Sequence, residues 1–202
     1  MPTRPSLPVV AALLLLAAAA PACAFAQRTA DAAPLPFHPG QWGLSANIFG
    51  GEAAGIGALR FTAPNRALVL DVSASMNREK RAYPASPLSP GSSQQATTGS
   101  VMLSLGLRHF RPLANSVAFF NTLGVNGNYQ GGTGTHGWGA GLFGDVGAQY
   151  MLDPRFSLGV AAGLQLGYNE FRYPGGPNGA IATTTSTSLH TTPARFMGAV
   201  YF

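Results

Sequence analysis

Cysteine, charge and long apolar runs are what this chain lacks, and each shortage narrows what it can be. Cys23 is the only cysteine among 202 residues, so neither an intramolecular disulfide framework nor a cysteine metal site can form. Charged residues make up 9% of the chain, where a soluble domain carries roughly 25%. The net charge of +5 comes from scattered arginines, without the basic patch that marks a nucleic-acid binder, so no nucleic-acid partner is expected. After residue 26, Gly, Ser, Asn or a charge breaks every apolar stretch well short of the roughly 20 residues that a spanning helix needs. What remains is a chain 46% apolar with 26 glycines. A chain too uncharged for water and without helical spans has one well-known resolution, the transmembrane β-barrel, in which apolar outward residues alternate with small or polar inward ones.

The N-terminus reads as a targeting segment. Arg4 supplies a positive start, Leu7 to Ala20 form a short uncharged run, and Ala24-Phe25-Ala26 offers small residues at the positions a signal peptidase reads. Residues 1–26 are therefore expected to be a signal peptide cleaved after Ala26. A membrane anchor would need a longer run, and lipidation at Cys23 would require a leucine that Ala20-Pro21-Ala22 does not provide. Residues 27–40 form an irregular lead-in, and residues 41–202 the barrel.

Eight strands follow from period-2 alternation. The clearest is Gly137 to Met151, with Trp138, Ala140, Leu142, Gly144, Val146, Ala148 and Tyr150 on one face. Phe156 to Phe171 repeats it through Leu158, Val160, Ala162, Leu164, Leu166 and Tyr168. The other strands span 41–49, 55–63, 67–76, 98–110, 116–129 and 189–202. In the second, Gly57, Leu59 and Phe61 are expected outward and Arg60 inward. Pro64–Arg66, Arg111–Asn115 and Leu152–Arg155 are tight turns rich in Pro, Asn and Asp, while the connections at 77–96, 130–136 and 172–188 are longer. Short turns at one end and long loops at the other are the asymmetry of outer-membrane barrels. Outward aromatics form two groups. Trp42, Phe61, Phe119, Tyr150, Phe156 and Phe202 lie at the short-turn end, and Tyr129, Trp138 and Tyr168 near the other. These are the two belts expected at membrane–water interfaces.

Over residues 41–202 the chain resembles the small eight-stranded outer-membrane barrels, the OmpA-like and OmpX-like group. The most specific element is Arg195-Phe-Met-Gly-Ala-Val-Tyr-Phe202, where Phe196, Val200 and Phe202 look like the alternating signal read by the barrel-assembly machinery. Met197 stands where that signal usually has glycine. The resemblance implies an all-β, up-and-down antiparallel barrel in the cell outer membrane. Its expected partners are outer-membrane lipids and lipopolysaccharide, with a monomeric state, no cofactor, and no periplasmic domain after Phe202.

Inside such a barrel the expected polar network is Arg60, Asp71, Arg108, Asp145, Gln165 and Arg195, because buried charges need partners. Arg78, Lys80 and Arg81 are candidates for contact with lipopolysaccharide phosphates. Arg66, Arg111 and Arg155 occur one in each short turn, facing phospholipid headgroups. Some barrels of this group modify lipid A, and Ser188, His190 and Glu170 form the constellation to weigh for that chemistry. His38, His109 and His136 assemble no metal site. The expected function is non-catalytic, structural or surface-interacting through the longer loops. A narrow conduit for small solutes or hydrophobic ligands comes second, and a lipid A-modifying enzyme third.

Overall fold

The computed structural model describes residues 34–49, 53–83, 92–114, 116–132, 135–174 and 181–202. The expected signal peptide, Cys23 and the first part of the lead-in lie outside them. Eight strands occupy the described residues: β1 Trp42–Phe49, β2 Ala53–Ala63, β3 Arg66–Tyr83, β4 Ser92–Ala114, β5 Val117–Gly132, β6 Thr135–Asp153, β7 Phe156–Pro174 and β8 Ile181–Tyr201. Each pairs antiparallel with the next, and β8 returns to β1, closing the barrel in chain order. Closure leaves no sheet edge at the level of the β1–β8 ladder, which runs from Gly43–Tyr201 to Phe49–Arg195.

The strand centres lie where the alternation predicts them, but several strands run further at the long-loop end. The β3–β4 ladder continues to Tyr83–Ser92 and the β7–β8 ladder to Pro174–Ile181. Thr183, Thr184, Thr185, Ser186 and Thr187 are all exposed. With water on both faces there is no apolar–polar contrast to read, so alternation cannot mark these extensions. The rim is consequently uneven, because the β1–β2 ladder stops at Phe49–Ala53.

A bulge lets β8 serve two lumen levels. Between the pairs Ala161–Arg195 and Gly163–Thr192, β7 advances two residues and β8 three. Pro193 sits in the surplus, where its missing N–H breaks no ladder bond. The shift inverts the alternation, so Arg195 faces inward below it and Thr192 and His190 face the lumen above it.

Outside, the barrel carries an apolar surface: Leu44, Leu70, Leu103, Leu105, Leu123, Val125, Leu142, Leu158 and Val160 are all exposed. Trp42, Tyr150 and Phe202 are exposed at the short-turn end, and Tyr129, Trp138 and Tyr168 near the other. Trp138 and Tyr168 contact each other at 5.9 Å between centroids. Strand β2 corrects the sequence reading. Leu59 and Phe61 are each 1% exposed and point into the lumen with Gly57, while Arg60 faces out. Both faces of Ala-Ala-Gly-Ile-Gly-Ala-Leu-Arg-Phe are apolar enough to face lipid, so the strand's inward side is set by what fills the lumen at its level. That filling is aromatic, and Phe61 belongs to it instead of to the outer belt. Arg60 lies over the Trp42 ring, 5.4 Å from its centroid, in cation–π contact at the barrel end where a guanidinium can reach polar surroundings.

Candidate functional site

The lumen is built in three levels, each dictated by which inward residues the strands bring to that height. At the short-turn end the lead-in folds back into the barrel mouth. Gly40 takes φ +86°, a left-handed turn that glycine adopts without strain. Its N–H donates to the Phe61 carbonyl at 2.8 Å. The turn drives Phe37 into the lumen, 4% exposed. Its ring stacks on Phe61 at 4.3 Å and meets Tyr201 and Phe110 at 5.0 and 5.1 Å. Phe110 in turn meets Phe120 at 5.9 Å. Ala67, Val69, Ala118 and Met151 fill the spaces between these rings. Polar groups here bond to one another: Gln149 donates to Ser157 and to Tyr201, and Ser157 and Tyr201 share a bond of 3.0 Å.

Above this plug lies a belt of buried charges. Arg195 pairs with Asp145, the latter fully enclosed. Asp71 accepts a hydrogen bond of 3.0 Å from Asn47. Arg108 donates to Thr122 at 3.0 Å, reaches the Met197 sulfur at 3.9 Å, and lies 4.3 Å over the Phe120 ring. Charge-assisted bonds of this kind offset part of the desolvation that burial imposes.

Glycines make this belt possible. Asp71 stands in register with Gly57 of β2, and a Cβ on Gly57 would collide with Asp71 Oδ1. Asp145 stands in register with Gly163 of β7, where a Cβ would collide with Asp145 Oδ1. Each carboxylate therefore reaches across a bare position on the neighbouring strand to a partner one strand further, Asn47 on β1 or Arg195 on β8. The inward glycines at these levels are slots for a neighbour's side chain. Spacing within one strand could not reveal this, because the register between strands decides which residue overlies which glycine.

The third level is a cup on the long-loop side, a cavity of about 300 Å³. Its polar lining is Ser73, Ser75, Ser100, Asn126, Asn128, Gln165, Asn169, Ser188 and His190, with Met102 among them. No Asp, Glu, Lys or Arg lines it among the described residues. Gln165 thus belongs to the cup wall and to the upper edge of the belt.

Of the six residues expected in the lumen network, Asp71, Arg108, Asp145, Gln165 and Arg195 face inward. Arg60 does not, for the reason given above. The belt's other members, Asn47 and Thr122, and the whole aromatic plug were not anticipated; the signal available was Phe37, a lone aromatic in an otherwise weak lead-in. Arg78 is exposed on β3. Lys80 and Arg81 stand opposite Gln95 and Gln94, with side chains outside the described residues. Phe196, Val200 and Phe202 all face outward. Ser188 and His190 share the inward face of β8, but Glu170 does not join them. His190 stands opposite Gln165, so Glu170 lies five positions further along β7, roughly 16 Å at the rise of a strand. Its carboxylate is bonded to Arg172, at 2.9 Å from Nη2 and 3.0 Å from Nε.

The chain matches no protein-family model and no curated protein by sequence. Its fold is similar to that of solved structures. The outer membrane protein OprG from Pseudomonas aeruginosa superposes with a TM-score of 0.55 at 15% identity, covering 83% of this chain and 99% of that one. A major outer membrane protein from Thermus thermophilus superposes with a TM-score of 0.51 at 15% identity, covering 80% and 98%. The architecture is therefore the one expected from the sequence, a closed eight-stranded up-and-down barrel.

Proposed function

We propose that this chain is a non-catalytic, integral outer-membrane barrel, closed to solutes and presenting its long-loop end to the cell surface. One observation carries the reading: the lower lumen holds two seals in series, the aromatic plug around Phe37 and the Arg108–Asp71–Asp145–Arg195 belt. An interior filled by side chains suits an eight-stranded barrel and argues against a conduit. The exposed apolar surface between two aromatic belts supports a membrane setting. The separation of Glu170 from Ser188 and His190 weighs against lipid A chemistry.

On this reading residues 1–26 direct export, and the alternating face of Phe196, Val200 and Phe202 is read during assembly. The barrel stands as a monomer among outer-membrane lipids. Arg78, Lys80 and Arg81 meet lipopolysaccharide phosphates, each contributing roughly 1 kcal/mol near an anionic surface. Arg60 and the turn arginines Arg66, Arg111 and Arg155 meet headgroups at the opposite interface. Reconstitution in lipid vesicles and planar bilayers is the test. A heat-modifiable band in the vesicles without single-channel steps is expected; a soluble product or a steady conductance overturns the proposal.

A further inference from the structure

In the cup two glycine slots are filled as they are below, Gly139 by Asn128 and Asn169 and Gly141 by Asn126, while the one at Gly167 is left open. Below, the slots at Gly57 and Gly163 are occupied by Asp71 and Asp145. In the cup, the register runs Asn126–Gly141–Gly167–Ser188 across β5 to β8. A Cβ on Gly167 would meet nothing nearer than Ser188 Oγ at 3.6 Å and Asn169 Nδ2 at 3.7 Å. This slot is left open beside a cavity of about 300 Å³, a volume at the lower end of ligand pockets.

The amides around the slot are held in place. Asn128 of β5 and Asn169 of β7 close over Gly139 of β6, where a Cβ would collide with both of their Oδ1 atoms, and bond to each other at 3.4 Å. Ser75 and Ser100 are likewise bonded, at 2.7 Å. By contrast, Ser73, Asn126, Gln165, Ser188 and His190 make no side-chain hydrogen bond to protein among the described residues. Asn126 is nonetheless buried. Its amide lies over Gly141 and lines both the cup and the upper edge of the belt.

We infer that the cup binds a small uncharged polyhydroxylated solute, of the size of a single sugar ring. This inference extends the reading of a closed barrel with an outward-facing end. A hydroxyl both donates and accepts, so it satisfies amides and serines whichever group it meets. A charged solute would lose its hydration against a lining without a counter-charge, above a belt whose ions are already engaged. An apolar solute would take water away from the cup's amides and give nothing back.

The experiment is an NMR titration of the full, refolded barrel in micelles, following side-chain amide signals. The probes are methyl glucoside as the neutral solute and sodium gluconate as the charged one. Saturable shifts with methyl glucoside, confined to Asn126, Asn128, Gln165 and Asn169, are expected, with gluconate binding at least tenfold weaker. Gly167→Leu puts a side chain into the slot, its Cβ making only ordinary contacts. It is expected to keep the heat-modifiable band and to weaken methyl glucoside binding at least tenfold. Absence of saturable shifts at tens of millimolar, equal binding of gluconate, or unchanged binding by folded G167L overturns the inference. Conductance is measured separately, so a leaking barrel would sink the closed-lumen reading without touching this one.

Discussion

The lower and upper halves of the lumen are lined by the same strands yet solve opposite problems. Strand β5 carries Ala118 and Phe120 into the aromatic plug, Thr122 to the charged belt, and Asn126 and Asn128 into the cup. Along this one strand the inward face passes from hydrocarbon to amide. Below, the hydroxyls and the Gln149 amide nitrogen bond one another in Gln149–Ser157–Tyr201, with Gln149 Oε1 left without a partner among the described residues. Above, several are left to water or a ligand. Stability should therefore reside in the lower half, and substitutions of similar size should cost very different amounts in the two.

The belt should show the largest effect. Asp145→Ala leaves the Arg195 guanidinium buried without its carboxylate, a change that costs about 3–5 kcal/mol. Urea unfolding in vesicles measures it, and D145A with R195M should recover most of the loss because both charges then go. If D145A unfolds at the wild-type urea concentration, the belt does not hold the barrel. Phe37→Ala comes next, at about 3 kcal/mol, the low end for a buried aromatic because a lead-in can relax into the space. This variant should still show no single-channel steps, since the belt above the plug stays intact.

The division of the lumen was only partly legible from residues. Alternation gave the centres and outward faces of β3 to β8, because one face of each meets an apolar exterior. It failed on β2, where Ile56 and Leu59 make both faces apolar and the rule that arginine points inward misplaced Arg60. Asp71, Arg108, Asp145 and Arg195 could be placed inside, since a charge on an apolar outer surface is costly. Their partners could not be named, because pairing across Gly57 and Gly163 depends on inter-strand register. Nothing in the spacing marks Pro193 as a bulge that turns His190 inward.

Glycine gives a finer comparison. Gly139→Ala in the cup wall would force the Asn128 and Asn169 amides apart and press on the Tyr168 carbonyl at 2.9 Å, costing about 2 kcal/mol by overpacking. Gly127→Ala, one strand away and facing out, meets only the Gly139 carbonyl at 3.8 Å. It should fall within about 0.5 kcal/mol of wild type in the same urea assay. Equal losses would mean that the cup wall is looser than its register implies.

The smallest expected effect is also the most diagnostic. Gln149 and Asn126 are both buried amides on inward positions, one in each half. Gln149→Ala removes a donor shared by Ser157 and Tyr201 and leaves those hydroxyls with less than they need, at about 1.5 kcal/mol. Asn126→Ala removes an amide whose bonding groups face the cup. Water takes its place, and the cost should stay within about 0.5 kcal/mol. Unfolding midpoints of the two variants, measured side by side, decide the matter. An Asn126 variant as damaged as the Gln149 one would make the cup part of the structural core. A near-silent Asn126 variant would mean that this buried amide does not serve stability, as expected of a residue kept for binding.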